Sequence, residues 1–421
     1  MGIKMKTFKI AQHWQMGIAL ISGVVFGYIF SDSYPMWHNV VNGVKVLFLN
    51  AINMIVVPLV FLSTVLGIST MSDTDSMGKV AVKSFLYFIG TAVVAAIVGA
   101  ILTDSLRPGY NTPLVYLAAD SIMTKAEEVA SLTLMDRVVE IVPDNIFKAF
   151  GSGNILAIIF FSVLLGYFIT KISADRQRTI NRIFESFNDV IMSMTNFIIR
   201  LAPFGVFAIV MVLVGEQASN FSDLKACFRS FVFFVITVWI SLLFMGGIIL
   251  PVIVGVVAKV SPIKHLTQIY SALLVAFSTS SSYSALPLII GDAKEKMGVS
   301  DSIASFTVPL GITFNKIGTV IYECVAVTFV AQAVGVDLTA AQQISLIALS
   351  IVTVLGAPSV PMAGVITLAV LLKTMDLPTD YIGMFMAIDI LCDMPKTLLN
   401  AYSVSCGAIV VARSEGEILK I

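Results

Sequence analysis

Apolar runs of roughly twenty residues, the length an α-helix needs to cross a bilayer's hydrocarbon core, alternate along this chain with short polar stretches. The first covers about 15–30, the second 40–68 and the third 84–106. Pro58, inside the second, predicts a kink or break there. A polar, turn-rich run from Arg107 to Glu128 should lie outside the membrane. It precedes a hydrophobic element over 132–172 that is interrupted at VPDN (142–145) and GSGN (151–154). Further spans are predicted over 187–214 and 231–257. The loop KISADRQRTINR, with Lys171, Arg176, Arg178 and Arg182, is the strongest basic loop and belongs to the cytoplasm. Lys259 and Lys264 mark a second return to that side, and both termini fall there too.

The second half changes character. The run 263–289 is broken by STSSSYS (278–284), 303–334 by FNKIGT (314–319), and 344–372 by GAPSVPMAG (356–364). Each flanking piece is about 10–15 residues, too short to span alone. Irregular backbone at membrane depth is tolerated only where protein or a water-filled cavity covers it. Two helical hairpins and one unwound helix converging on a midplane site are therefore expected, the pattern of a secondary transporter. A channel filter could use such tips, but it would not need acids and a base behind them.

The last span, read as 383–411, holds five polar residues: Asp389, Asp393, Lys396, Thr397 and Asn400. Their offsets of four, seven, eight and eleven from Asp389 place them on one helical stripe. An ionisable group at mid-bilayer costs about 2.5–3.5 kcal/mol on insertion scales, so it faces a cavity or a partner. Two acids, one base and two neutral hydrogen-bonding groups make a site for a small zwitterion. A purely structural Asp–Lys pair would leave Asn400, Thr397 and the second acid without a role.

Composition narrows the class. Hydrophobic residues make up 57% of the 421 and charged residues 12%, about half the usual charged share. The chain is thus an all-α polytopic membrane protein. The first apolar segment lacks a small-residue cleavage site, so it is expected to remain as a span. Net charge is zero with no basic tract, which argues against a nucleic-acid partner. Cys227, Cys324, Cys392 and Cys406 show neither metal-ligand nor disulfide spacing. His13, His38 and His265 accompany no activated serine, and HExxH and GxSxG are absent. No enzyme activity, enzyme cofactor or bound metal is expected.

Several stretches carry a resemblance: VVPLVF (56–61), IVPDNIF (141–147), APFGVFA (202–208), ALP (285–287) after the serine run, SFTVPLGITFNKIGT (305–319) and DILCDMPKTLLN (389–400). In order and spacing they resemble the dicarboxylate/amino acid:cation symporters. That family includes prokaryotic glutamate and aspartate carriers and animal excitatory amino acid transporters. The resemblance implies a homotrimer in the cell membrane, each chain with eight transmembrane helices and two re-entrant helical hairpins. Residues 1–83 and 111–222 would form a trimerising scaffold with helices 1, 2, 4 and 5. Residues 84–110 (helix 3) and 223–421 (helix 6, hairpin 1, helix 7, hairpin 2, helix 8) would move like an elevator.

Carried over by position, the substrate site would use Ser281 and Ser282 from the first hairpin tip and Thr319 from helix 7. Val360 and Gly364 would contribute backbone from the second hairpin. Asp393 would hold an amino group with Thr397 beside it, and Asn400 would meet the α-carboxylate. Lys396 stands where acidic-amino-acid carriers have an arginine for the side-chain carboxylate, a swap that loses the bidentate fork. A further arginine found in family members is also missing, the matching positions being Ser280 and Met394.

Sodium coupling looks impaired. The family's Asn-Met-Asp-Gly-Thr is Asn315-Lys316-Ile317-Gly318-Thr319 here, so one sodium-ligating acid is lost at Ile317. A second is replaced by Val404. Lys316 brings a cation close to the vacated region, where facing Asp389 it would stand in for an ion. The competing reading has it snorkel to a watery crevice. Glu323 occupies a position at which proton-coupled members carry glutamate, and a carboxyl in an apolar helix can load and release a proton. Its structural alternative is a hydrogen bond to a neighbouring helix. The expected function is proton-coupled symport of aspartate or glutamate. The alternatives are sodium-coupled or exchange-mode carriage of another amino acid or dicarboxylate, a substrate-gated anion channel, or a transport-dead sensor.

Overall fold

A computed structural model describes residues 12–30, 34–69, 78–110, 112, 142–152, 155–217, 221–355, 363–379 and 381–421, which are mostly helical and include no strand. The helices are α1 (Gln12–Ile29), α2 (Tyr34–Ser69), α3 (Gly78–Leu106), α4 (Ile146–Ser152), α5 (Ile155–Ile169), α6 (Ala174–Arg200), α7 (Ala202–Gln217) and α8 (Phe221–Phe244). They continue with α9 (Pro262–Thr279), α10 (Ser282–Glu295), α11 (Asp301–Phe314), α12 (Ile317–Ala333), α13 (Ala340–Leu355), α14 (Ala363–Thr374) and α15 (Ile382–Ser414). Among the described residues, three helical stretches are long and apolar enough to cross a membrane: Lys79–Leu106, Phe228–Ala258 and Asp301–Ala333.

Four local expectations are revised. The basic stretch 171–182 is mostly helix rather than loop, because α6 starts at Ala174. Gln177 and Asn181, one turn apart, both reach the Ser69 carbonyl at the end of α2 (3.0 and 3.5 Å), satisfying an acceptor that the helix end leaves open. The span expected over 187–214 divides at Leu201, just before Pro203, where Phe204 and Gly205 bond back to the Leu201 carbonyl. The α2 helix passes Pro58 without a break and includes 34–39, expected as loop; Trp37 anchors that first turn by donating to the Phe30 carbonyl at 2.8 Å. Beyond α8, the helix widens into π turns at Met245–Ile249 and Val254–Ala258. Pro251 lies between them, and its missing N–H interrupts the regular ladder.

Packing radiates from two centres. The α2 helix contacts α5, α6 and α7, and α1 lies along α7. Gly23 and Gly27 bring α1 so close that a methyl on either would meet backbone oxygens of α7 at 3.0 and 2.8 Å, the small-residue packing of helices in lipid. The second centre is α15, which contacts α9, α10, α11 and α12. Every residue of α12 is buried, as expected of a helix apolar on all sides. Rings of Phe231, Phe234, Phe329 and Phe385 interlock around it, with centroids 5.1–6.3 Å apart.

The end of α3 is pinned to α12. Gln332 accepts from Gly109 N (3.1 Å) and donates to the Thr103 carbonyl (3.3 Å). A Cβ on Gly109 would sit 2.3 Å from the Phe329 carbonyl oxygen. Gly109→Ala should therefore cost about 1–3 kcal/mol, read as a lowered unfolding temperature in detergent. Gly247→Ala, where nothing lies within 4 Å of the added methyl, should not lower it. Equal melting of the two variants would refute this account of the α3 anchor.

Candidate functional site

Two interruptions and one polar stripe meet around α15. The serine run forms a tight turn: α9 ends at Thr279, Ser280 is left-handed (φ 50°), Ser281 is extended, and α10 begins at Ser282. The arms α9 and α10 fold back on each other and both contact α15. Ser282 is buried and Ser281 half-buried.

The second interruption separates α11 from α12. Asn315 (φ −94°, ψ 80°) and Lys316 (φ −110°, ψ 53°) leave the helical region. Their surroundings are polar and specific. Asn315 donates to Ser403 Oγ at 2.8 Å, and the Thr91 hydroxyl lies 3.5 Å from its carbonyl oxygen. The new helix is received by Asn400, whose Oδ1 accepts from Gly318 N at 2.8 Å. Gly318 has to be glycine, since a Cβ there would lie 2.5 Å from the Lys396 carbonyl oxygen. The unwound backbone thus rests directly on the polar stripe of α15.

That stripe is an ion cluster. Lys396 Nζ lies 2.6 Å from Asp389 Oδ1, 3.4 Å from Asp393 Oδ1, and 4.0 Å from the centroid of the Tyr322 ring. Lys396 and Asp389 keep 2% and 1% of their side chains accessible, whereas Asp393 keeps 17%. A buried ammonium tolerates such a place only with counter-charges fixed around it, and the aromatic face adds a third attraction. A methyl on Gly364 would come within 3.2 Å of the ammonium, so that glycine lets α14 close over it. Thr319, Thr397 and Asn400 are buried beside the cluster. Val360, expected in the second hairpin tip, lies outside the described residues.

Glu323 is fully buried one turn beyond Thr319. Its Oε2 lies 3.2 Å from the Thr353 hydroxyl of α13, and Thr367 of α14 faces the same carboxyl. Its Oε1 makes no hydrogen bond among the described residues. Lys316 and Lys396 both lie within electrostatic reach of it. Asp389, the acid expected to face Lys316, is engaged by Lys396. Ile317 and Val404 are fully buried and offer no oxygen to a cation. Among the described residues, no three His, Cys, Asp or Glu side chains converge as a metal site.

Several partners escape sequence reading. Tyr322 reads as one more apolar residue of α12, and Thr353 and Thr367 come from helices packed against it with no local signal. Ser403 could have been found, because it follows Asn400 by three residues on the same stripe.

The model of the sodium:dicarboxylate symporter family matches residues 13–414. The chain is 33% identical over 415 residues to the proton/sodium-glutamate symport protein of Bacillus caldotenax, covering 97% of this chain and 96% of that protein. It is 31% identical over 428 residues to the proton/glutamate-aspartate symporter of Escherichia coli (strain K12), covering 98% and 94%. A C4-dicarboxylate transport protein of Laribacter hongkongensis (strain HLHK9) is 30% identical over 410 residues, covering 96% and 89%. These matches span nearly the whole molecule, interruptions and polar stripe included, and the chain belongs to the sodium:dicarboxylate symporter family.

Proposed function

We propose that this protein is a proton-coupled symporter of aspartate and glutamate in the cell membrane. Glu323 carries the proposal: a carboxyl sealed in α12, one turn from Thr319 and in reach of both buried lysines. Two ammonium groups and three carboxylates (Asp389, Asp393, Glu323) leave one negative charge unbalanced, and one proton on Glu323 removes it. The Thr353 hydroxyl has a single proton and three oxygens around it: the Leu349 carbonyl at 2.8 Å, the Ser350 carbonyl at 3.1 Å and Glu323 at 3.2 Å. Given to the nearest carbonyl, that proton leaves the hydroxyl oxygen free to accept one from a neutral Glu323.

Substrate recognition follows as an exchange of ion pairs. Asp389 is the short, permanent counter-ion of Lys396. Asp393 is more distant and more accessible. An amino acid bearing a side-chain carboxylate replaces the 3.4 Å contact by two closer ones, ammonium on Asp393 and carboxylate on Lys396. The N-terminus of α10 at Ser281 and Ser282 favours the remaining carboxylate. Because Ile317 and Val404 supply no ligands, sodium is not required at those positions. The names of the proton/sodium-glutamate and proton/glutamate-aspartate relatives support an acidic amino acid as substrate and a proton as a coupling ion.

The finer architecture belongs to the same proposal: eight spans, two re-entrant hairpins, cytoplasmic termini and a homotrimer. The grouping of α1, α2, α5, α6 and α7 around one centre, and of α3 with α8–α15 around another, supports a static scaffold carrying a moving domain. The seams between the groups run along α7 with α15 and α2 with α14.

Uptake of radiolabelled aspartate and glutamate into liposomes, with the pH on each side set independently and sodium present or omitted, tests the function. An inward proton gradient should drive accumulation without sodium. Glu323→Gln copies the neutral carboxyl, so it should still exchange internal for external substrate but no longer accumulate it. A strict sodium requirement would overturn the proposal. Succinate, which lacks an ammonium, should compete more weakly than aspartate by about a hundredfold or more; equal competition would mean that Asp393 does not read an amino group. Asp389→Asn should lower stability in detergent by about 3 kcal/mol, as a buried ammonium loses its nearest counter-charge. An unchanged melting temperature would show that Asp389 is not that counter-ion.

A further inference from the structure

We infer that the protein binds an anionic phospholipid in a cavity beside the end of α3, apart from the ion cluster of α15. The cavity, about 540 Å³, lies between the turn after α3 and the first turns of α8. Arg107 lines it from the turn, while Lys225 and Arg229, four residues apart and so on one face of α8, line it from the other side. All three side chains are exposed. Among the described residues none of the three is paired with a carboxylate. Arg107 instead lies over the Tyr110 ring, 4.9 Å from its centroid. The lining residues include no acid; Asp337, outside the lining, receives the Tyr110 hydroxyl at 3.3 Å. Three cations around one hollow, none of them paired with a carboxylate among the described residues, call for an anion.

The apolar floor identifies that anion as a lipid. Val232, Phe233 and Ile236 continue the face begun by Arg229, and they remain 44%, 39% and 43% exposed. The stretch of α8 long and apolar enough to cross a membrane starts at Phe228. Arg229 is therefore in its first turn and Lys225 just before it, at the depth of a phosphate headgroup. The exposed side chains below lie at the depth of acyl chains. A free anion would satisfy the cations and leave this floor bare; an anionic phospholipid covers both. The turn that carries Arg107 is also held in place. Gln332 holds the backbone on both sides of Arg107, through Thr103 and Gly109, so little ordering is required on binding.

The test uses the purified full chain in neutral detergent, with dioleoyl phosphatidylglycerol as probe and dioleoyl phosphatidylcholine and inorganic phosphate as comparisons. Bound lipid is counted by native mass spectrometry. The wild type should retain phosphatidylglycerol over phosphatidylcholine, and millimolar phosphate should not displace it. Removing the three charges together (Arg107→Gln, Lys225→Gln, Arg229→Gln) should weaken retention on the order of 100-fold, at about 1 kcal/mol per cation. Removing Arg176, Arg178 and Lys264 by the same exchange, which takes three exposed charges from elsewhere, should leave retention unchanged. Equal loss in both triple variants, or no preference between the two lipids, would overturn the site. Displacement by phosphate would overturn the lipid and leave a free-anion pocket. Should the first triple variant fail to fold, Arg229→Gln alone decides, with a fall of about fivefold expected and an unchanged affinity counting against the site.

Discussion

An ammonium group placed where water cannot reach it governs the arrangement of this molecule's second half. Lys396 is buried in the middle of α15, and a lone cation there would be prohibitively unstable. Every element near it answers that problem. Asp389 and Asp393 come from the same helix face, Tyr322 turns its ring beneath the charge, and Gly364 gives up a side chain so that α14 can approach. None of these helices can shift far from the others without uncovering the charge. Packing and electrostatics are therefore one constraint, and α12, α14 and α15 behave as a unit because of it.

Glu323 extends the same logic to ion coupling. Groups that cannot be hydrated must be balanced by each other, by a bound ion or by a proton. Ile317 and Val404 carry no side-chain oxygen for a cation, and Lys316 stands next to the first of them. In the proposed function Lys316 is a tethered charge that cannot be released to either side, and Glu323 is the group that loads and unloads a proton.

Much of this was legible in the sequence, for identifiable reasons. A serine run and an Asn-Lys pair interrupting apolar segments have no stable place in lipid unless a cavity covers them, so 278–284 and 314–319 announced themselves. The stripe on α15 was visible because its members share one helix and one periodicity. Pairing within it was not visible: spacing alone does not say that Lys396 leans towards Asp389 at i−7 more closely than towards Asp393 at i−3. Contacts from other helices, such as Tyr322 on Lys396 or Thr353 on Glu323, have no signature in one dimension. The π turns after α8 were missed for a related reason, since Gly246, Gly247 and Pro251 are common enough in membrane helices to leave the turn type open. The division at Leu201 hid inside a continuous apolar run.

Asn400 has a consequence for the direction in which a ligand can lie. An amide has two unlike ends, and a backbone N–H can be received only by the oxygen. With Oδ1 bonded to Gly318 N, the NH₂ end of the side chain is the one left for a ligand in the proposed site, for as long as the start of α12 is folded. In the proposed site it works as a polarity key: a carboxylate would fit against it and an ammonium would be turned away. With Asp393 seven residues earlier attracting the opposite charge, that proposal gives a zwitterion a head and a tail. A backbone hydrogen bond that seats a broken helix would then also set which way round the cargo enters.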